Sequence, residues 1–456
     1  MNKTKRICAI AIAAMLAVTS FAGCGSGDTG STGGTTGGST GGETTASTTG
    51  GGTTVTGDGG DPLYGEGANG TINLKVWGPD AAQEVLKGQC KKFSENMKAY
   101  GDVQIEVIPQ GEADSAALVL NDATVAADVF GFACDNLNKL VRTGCLLEVT
   151  GAEKDAVIAD NSEGSVKAAT VTDKDTGEDK IYGYPETGDN SYILVYNKDY
   201  VSEDQAKTLE GTLEACKAAN KKFVIEAGNG YYSCMFMFTG GLKIDGYEED
   251  GETQKFTEYD EAKVVKTMMA FQDLFIKYKD NLLVGEITKV VDGFKSDTVA
   301  AGIDGSWNFS HAKETLGDKA GFAVLPTINV DGTDTPIINM FGYKLLGVNS
   351  STKYPNTSIE LAKFLAGEEC QAERAEKLNW GPSNKAVAES DVVKNDQALS
   401  AILAQSANSV AQISIADSFW TPVATLGNKV SDTANPMDEA ACTELLNQTI
   451  ANIRDE

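Results

Sequence analysis

Histidine is almost missing from this sequence: one residue, His311, among 456. That nearly excludes histidine-rich metal sites, and Ser-His-Asp chemistry would rest on a residue that reads as an ordinary side chain on a short helix. No C-x-x-C pair occurs, which leaves zinc ribbons and thioredoxin-type redox sites without support. The apolar run Ile7–Val18 is too short to span a bilayer as a stable helix. Positive charge is scarce as well, with 38 Lys and Arg against 65 Asp and Glu and a formal charge of −27. So acidic a chain is a poor partner for nucleic acid, anionic membrane surfaces or phosphate-like solutes, and suits neutral or cationic ligands. No internal repeat is evident.

What is present begins with an export signal. Lys3, Lys5 and Arg6 precede the apolar run, and Phe21-Ala22-Gly23-Cys24 closes it with small residues before a cysteine. This ending resembles a bacterial lipobox, with Phe where Leu is commoner, and implies a signal peptide over 1–23 and acylation of Cys24. An ordinary secretory cleavage site is the alternative. Removing the three basic residues leaves −27 − 3 = −30 on the mature chain. Residues 25–61, nearly all Gly, Ser and Thr, cannot bury apolar surface and read with Cys24 as a flexible tether spanning roughly 35 Å. Such a tether suits the surface of a Gram-positive cell. Of nine cysteines, Cys8 falls in the signal; the seven beyond Cys24 are scattered and odd in number, which points to reduced thiols.

Folding starts near Gly70. Residues 71–77 alternate as a strand, 81–100 carry a helical pattern and 103–108 form a second strand, giving the β-α-β unit of an α/β sheet. Asp80 then sits past the carboxyl end of the first strand, where such sheets place ligands. The apolar run 127–131 breaks into a loop bearing Phe132, Asp135 and Asn136. Gly228–Tyr232 is a glycine-rich loop offering Tyr231 and Tyr232, and 262–278 is an amphipathic helix whose Met and Phe residues face a core. Residues 299–326 read as strand, Asp-Gly-Ser turn, short helix and strand, with Trp307 just after the turn. Trp307 is either a ligand wall or a core residue. Strands are expected at 336–341 and 344–349, helices around 358–377 and 397–406, Trp420 in an F-W pair, and a closing helix over 439–453.

Several of these stretches resemble the carbohydrate-type extracellular solute-binding proteins, the maltose-binding family. Asp128 to Asp135 is similar to the family's D-x-x-x-W-x-x-D segment, with Phe132 near the usual Trp and Asn136 where maltodextrin binders have Arg. Tyr182-Gly-Tyr184-Pro185 followed by Tyr196-Asn-Lys-Asp199 resembles its Y-x-Y-P…Y-N-K-D signature, Gly305-Ser-Trp307 its G-x-W turn, and Trp380-Gly-Pro382 and Phe419-Trp420 its later elements. The resemblance covers about 385 residues. It implies an α/β fold of two lobes, each a mostly parallel sheet flanked by helices, hinged around a ligand cleft. By that frame 62–187 with 346–393 form one lobe and 188–345 with 394–456 the other.

The ligand residues so implied are Asp80, Phe132, Asp135, Asn136, Asp189, Tyr231, Tyr232, Trp307 and Trp420, with Asn190 an alternative to Asp189 because the spacing is displaced by one. Sugars are apolar on their C–H faces and hydroxyl-rich at their edges, so they want aromatic platforms with acceptors and amides at the rim. The resemblance therefore implies a monomeric lipoprotein, not an enzyme and without cofactor or metal. It would capture an oligosaccharide, best a malto-oligosaccharide, and pass it to the permease of an ABC importer. It would sit on the outer face of the cell membrane, held through Cys24. Xylo-, fructo- and galacto-oligosaccharides remain open, as do a cationic solute and a secreted glycoside hydrolase, whose paired carboxylates would also flank a sugar.

Overall fold

A computed structural model describes residues 61–455; the signal, Cys24 and nearly all of the tether lie outside them. Strand β1 (Ile72–Gly78) shows alternating burial, as one-sided amphipathic strands do. It pairs in parallel with β2 (Val103–Pro109) and β3 (Val129–Ala133). The helix Gln83–Met97 joins the first two and buries Val85, Leu86, Cys90 and Phe93 on one face. Two further segments complete this sheet: β4 (Tyr184–Asn190), and the long β10 (Asn339–Val348), which runs antiparallel to both β3 and β4.

The second sheet contains β5 (Tyr192–Asn197), β6 (Lys222–Ile225), β7 (Leu282–Val284), β8 (Val299–Gly305) and β9 (Ala320–Ala323) in the order β7-β6-β8-β5-β9. Its β7-β6-β8 part is parallel, whereas β5 runs antiparallel to β8 and β9. Both sheets are thus mixed and not parallel throughout. The reason is connectivity: β4, β5 and β10 carry the chain between lobes and enter against the direction of the β-α-β strands. β11 (Ser409–Ala411) joins the far end of β10. The two strands expected at 336–341 and 344–349 are this one continuous β10.

Two separate hydrophobic cores result. Phe93, Phe130, Phe132 and Leu361 belong to one; Tyr192, Phe223, Phe236, Phe275 and Phe419 belong to the other. β10 passes from the second core at Met340 to the first at Leu345. At the amino end, Glu66 accepts from the backbone amides of Asn356 and Thr357 at 3.0 and 2.9 Å, filling the orphan donors that open helix Pro355–Leu365. The end of the tether is thereby fastened to the first lobe. All seven cysteines of the described residues are buried free thiols, and burial pushes Cys90 up to about 12. His311 is exposed on the helix Phe309–Leu316.

The crossings meet at a buried charge cluster. Lys344 of β10 lies 3.3 Å from Glu112 and 5.0 Å over the Trp380 ring, and Glu186 and Asp189 of β4 face it. Burial pulls the Lys344 ammonium down, but the Glu112, Asp189 and Glu186 carboxylates hold it above its ordinary range. Burial raises Glu186 and Asp189, partly offset by Arg374 and Lys344 respectively. Taking Lys344→Met should therefore cost about 3–5 kcal/mol, the cost of stranding buried charge. Because those carboxylates have folded pKa values above their unfolded ones, the loss should deepen as pH rises. Urea unfolding at pH 5 and pH 8 checks both; equal midpoints for wild type and variant at pH 8 would refute it.

Candidate functional site

A cleft of about 790 Å³ lies between the lobes. The second lobe supplies its aromatic wall. Asn229 caps the helix Gly230–Ser233, its side chain accepting from the Tyr231 amide at 3.0 Å, so the turn sets half-buried Tyr231 and buried Tyr232 side by side in the cleft lining. Tyr192 of β5 props them from behind, its hydroxyl donating to the carbonyls of Tyr231 and Tyr232 at 3.2 Å. Helix Trp420–Val430 packs straight onto this turn: a Cβ at Gly230 would sit 2.3 Å from the Trp420 carbonyl oxygen, and one at Gly427 2.2 Å from that of Ala227. Bare glycines at both contacts bring Trp420 beside the tyrosines.

Trp307 follows β8. Its ring lies across Gly305, where a Cβ would meet the indole at 2.2 Å, and 6.2 Å from the Tyr231 ring centroid. Asp304 holds the turn, its Oδ1 accepting from the Gly305 amide and the Asn308 side chain, both at 2.8 Å. Its Oδ2 is buried with no protein partner, and burial pushes Asp304 up to about 7.

The first lobe and the crossings supply the polar wall. After β3 the chain makes a tight turn at Cys134–Asn136 before helix Leu137–Arg142, which sets Asp135 and Asn136 at the cleft. Burial pushes Asp135 up to about 7, against a hydrogen bond from Gln412. The Gln412 side chain accepts from Asn190 at 2.9 Å, and its backbone amide donates to Phe341 of β10 at 2.8 Å. Tyr231 reaches over to donate to the Asn190 carbonyl at 2.8 Å. Glu112 and Lys344 form the floor.

Six of the expected ligand residues line this one cleft: Asp135, Asn136, Tyr231, Tyr232, Trp307 and Trp420. Three do not. Phe132 is fully buried in the first core, 5.6 Å from Phe130, because its strand register turns the ring inward. Asp189 is 2% exposed and its Oδ2 accepts from the Gly381 amide at 2.6 Å, so it secures the hinge. Asn190, the next residue on the strand, takes the cleft-facing position. Asp80 is exposed at the start of a short 3₁₀ turn and outside the cleft lining. Glu112, Asn229, Glu226, Glu286, Lys344 and Gln412 also line the cleft without having been anticipated. Only Lys344 left a clear signal, a lone charge inside the apolar strand FGYKLLGV. Among the described residues no group of three or more His, Cys, Asp or Glu is placed to hold a metal ion, and no helix is long and apolar enough to cross a membrane.

A family model described as bacterial extracellular solute-binding protein matches residues 89–401, more than half of the chain. The chain belongs to that family. This solute-binding protein is 27% identical over 390 residues to the galactooligosaccharide-binding protein of Bacillus subtilis, covering 81% of this chain and 88% of that one. A solved structure determined with acarbose superposes with a TM-score of 0.73 at 25% identity, covering 85% of this chain and 99% of that one. The maltodextrin-binding protein of L. casei BL23 without ligand gives 0.71 at 23% identity, covering 84% and 99%. The two-lobe fold is theirs as well.

Two expectations follow for the Trp307 turn. Gly305→Ala should tilt the indole and shift intrinsic tryptophan emission with little loss of stability; an unchanged spectrum would sink the close-approach argument. Asp304, raised above its unfolded pKa, contributes stability at low pH that is lost as pH rises through about 7. Asp304→Asn should flatten the fall in Tm between pH 5 and pH 8 by roughly 2 kcal/mol equivalent, and parallel wild-type and variant curves would count against it.

Proposed function

We propose that this solute-binding protein captures an oligosaccharide in the interlobe cleft and hands it to the permease of an ABC importer. The observation that carries the reading is the division of the walls. Tyr231, Tyr232, Trp307 and Trp420 line one side, while Asp135, Asn136, Asn190 and Gln412 line the other. Pyranose rings stack their C–H faces on the first set and direct their hydroxyls at the second. Asp135 and Asn136 belong to the first lobe and the aromatic platforms to the second, so a ligand touching both favours the form in which the lobes (62–187 with 346–393, and 188–345 with 394–456) close on it.

Within that class we favour a malto-oligosaccharide. Support comes from the aromatic wall and from fold relatives solved with maltotetraose and maltotriose. A galacto-oligosaccharide is the second reading, favoured by the galactooligosaccharide-binding relative. Cys24 would carry the lipid anchor outside the cell, and the Gly/Ser/Thr tether would let the monomeric lobes reach the permease. A hydrolase finds less support, since the family is one of binding proteins.

Isothermal titration of residues 62–456 against malto- and galacto-oligosaccharides tests this. Saturable heat with one series is expected, weakened at least about tenfold in Trp307→Ala, the loss of a buried aromatic platform. Silence with every sugar, alongside heat from a polyamine or peptide, would overturn the carbohydrate reading.

A further inference from the structure

A second cavity adjoins the cleft at Asp135 and Asn136. Both residues line it, and its volume of about 390 Å³ is large beside the ~30 Å³ share of one water. Its other walls include Lys139, Arg142, Tyr247, Glu252 and Asp417. Lys139 and Arg142 belong to the first-lobe helix Leu137–Arg142, whereas Glu252 and Asp417 flank elements packed in the second core. Two ion pairs therefore span the seam between the lobes. Lys139 donates to Asp417, and Arg142 Nη1 lies 3.2 Å from Glu252 Oε1 and 3.3 Å from the Gly251 carbonyl. None of these four residues lines the main cleft.

We propose that this cavity is a further saccharide subsite and that the Lys139–Asp417 pair is its movable end wall, so that the pair sets the length of oligosaccharide the protein prefers. The inference rests on the oligosaccharide reading above. Three features carry it. The cavity adjoins the cleft, with Asp135 and Asn136 common to both linings. Its guanidinium, phenol and carboxylate groups match hydroxyl edges, and Ile415, Ala416 and Ile453 give it a smaller apolar side. The wall is also weak: the Lys139 and Asp417 side chains are 44% and 75% exposed, and exposed pairs contribute little. Short ligands leave the pair closed. Longer ones swing Lys139 aside and reach Arg142 and Tyr247 behind it.

The test compares affinities for malto- and galacto-oligosaccharides of three and six units in wild type, Lys139→Met, Asp417→Asn and the double variant. The ratio of six-unit to three-unit affinity should rise about fivefold in either single variant and no further in the double, as befits one pair. Raising NaCl to 0.5 M should lift the ratio in wild type and leave the double variant unmoved. Lys266→Met, which breaks the remote exposed pair with Asp331, is the control and should leave the ratio alone. A ratio that is constant across all four proteins, or that rises equally in the control, overturns the end wall while the oligosaccharide reading stands. Failure of folded wild type to bind any of the sugars removes both.

Discussion

The structure turns on a positive charge largely withdrawn from water at the base of the cleft. Lys344 sits on the strand that carries the chain from the second core to the first, with Glu112, Glu186 and Asp189 around it and the Trp380 ring beneath. Desolvating such groups is costly, and only mutual attraction with good hydrogen bonding recovers the cost. The recovery needs every crossing in place at once. Glu186 and Asp189 come from the first, Lys344 from the second, and Gly381, Trp380 and Arg374 from the third, each meeting the others through a charge or an amide. Gln371 adds to this by accepting from the amides of Ser383 and Asn384 while donating to the Pro185 carbonyl. A hinge built this way holds β4, β10 and the Trp380–Gly381 turn together without a shared apolar core.

The same cluster reaches the ligand side, because Glu112 and Lys344 form the cleft floor. Hinge and site are therefore one electrostatic unit. Above that floor the lobes divide the work. The second lobe gives apolar platforms held by glycine contacts and the Tyr192 hydroxyl, and the first lobe and crossings give amides and carboxylates. A ligand that reaches both the aromatic platforms and Asp135 or Asn136 touches both lobes at once. The strong acidity of the chain fits this picture, since it repels anions and leaves a neutral sugar untouched.

Much of this was legible in the chain itself. The alternation of residues 71–77 marks β1, the Asp-Gly-Ser break after 299–303 marks the turn before Trp307, and Gly228-Asn229-Gly230 marks the loop that carries two tyrosines. These are local signals: side-chain period and turn chemistry act over a few residues, so they survive in one dimension. Asp135, Asn136, Tyr231, Tyr232 and Trp307 could be named for that reason, since they follow a strand end or glycine turn, whereas Trp420 came from its likeness to the family's F-W pair.

Which face each residue shows was a matter for the tertiary structure. Asp189 and Asn190 are neighbours with similar side chains, yet one points to Gly381, 192 residues away, and the other to Gln412, 222 residues away. Phe132 goes to the core for the same reason: β3 pairs with β10, whose residues lie more than two hundred positions later, and that register turns the ring inward. Lys344 was visible as an odd charge in an apolar strand, but the carboxylates that neutralise it converge from two separate stretches, Glu112 and the Glu186–Asp189 part of β4. Sequence by itself determined most of the elements and the aromatic inventory, because those depend on near neighbours. Register, the buried ion cluster and the seam past Asp135 depend on long-range pairings, and only the folded chain decides those.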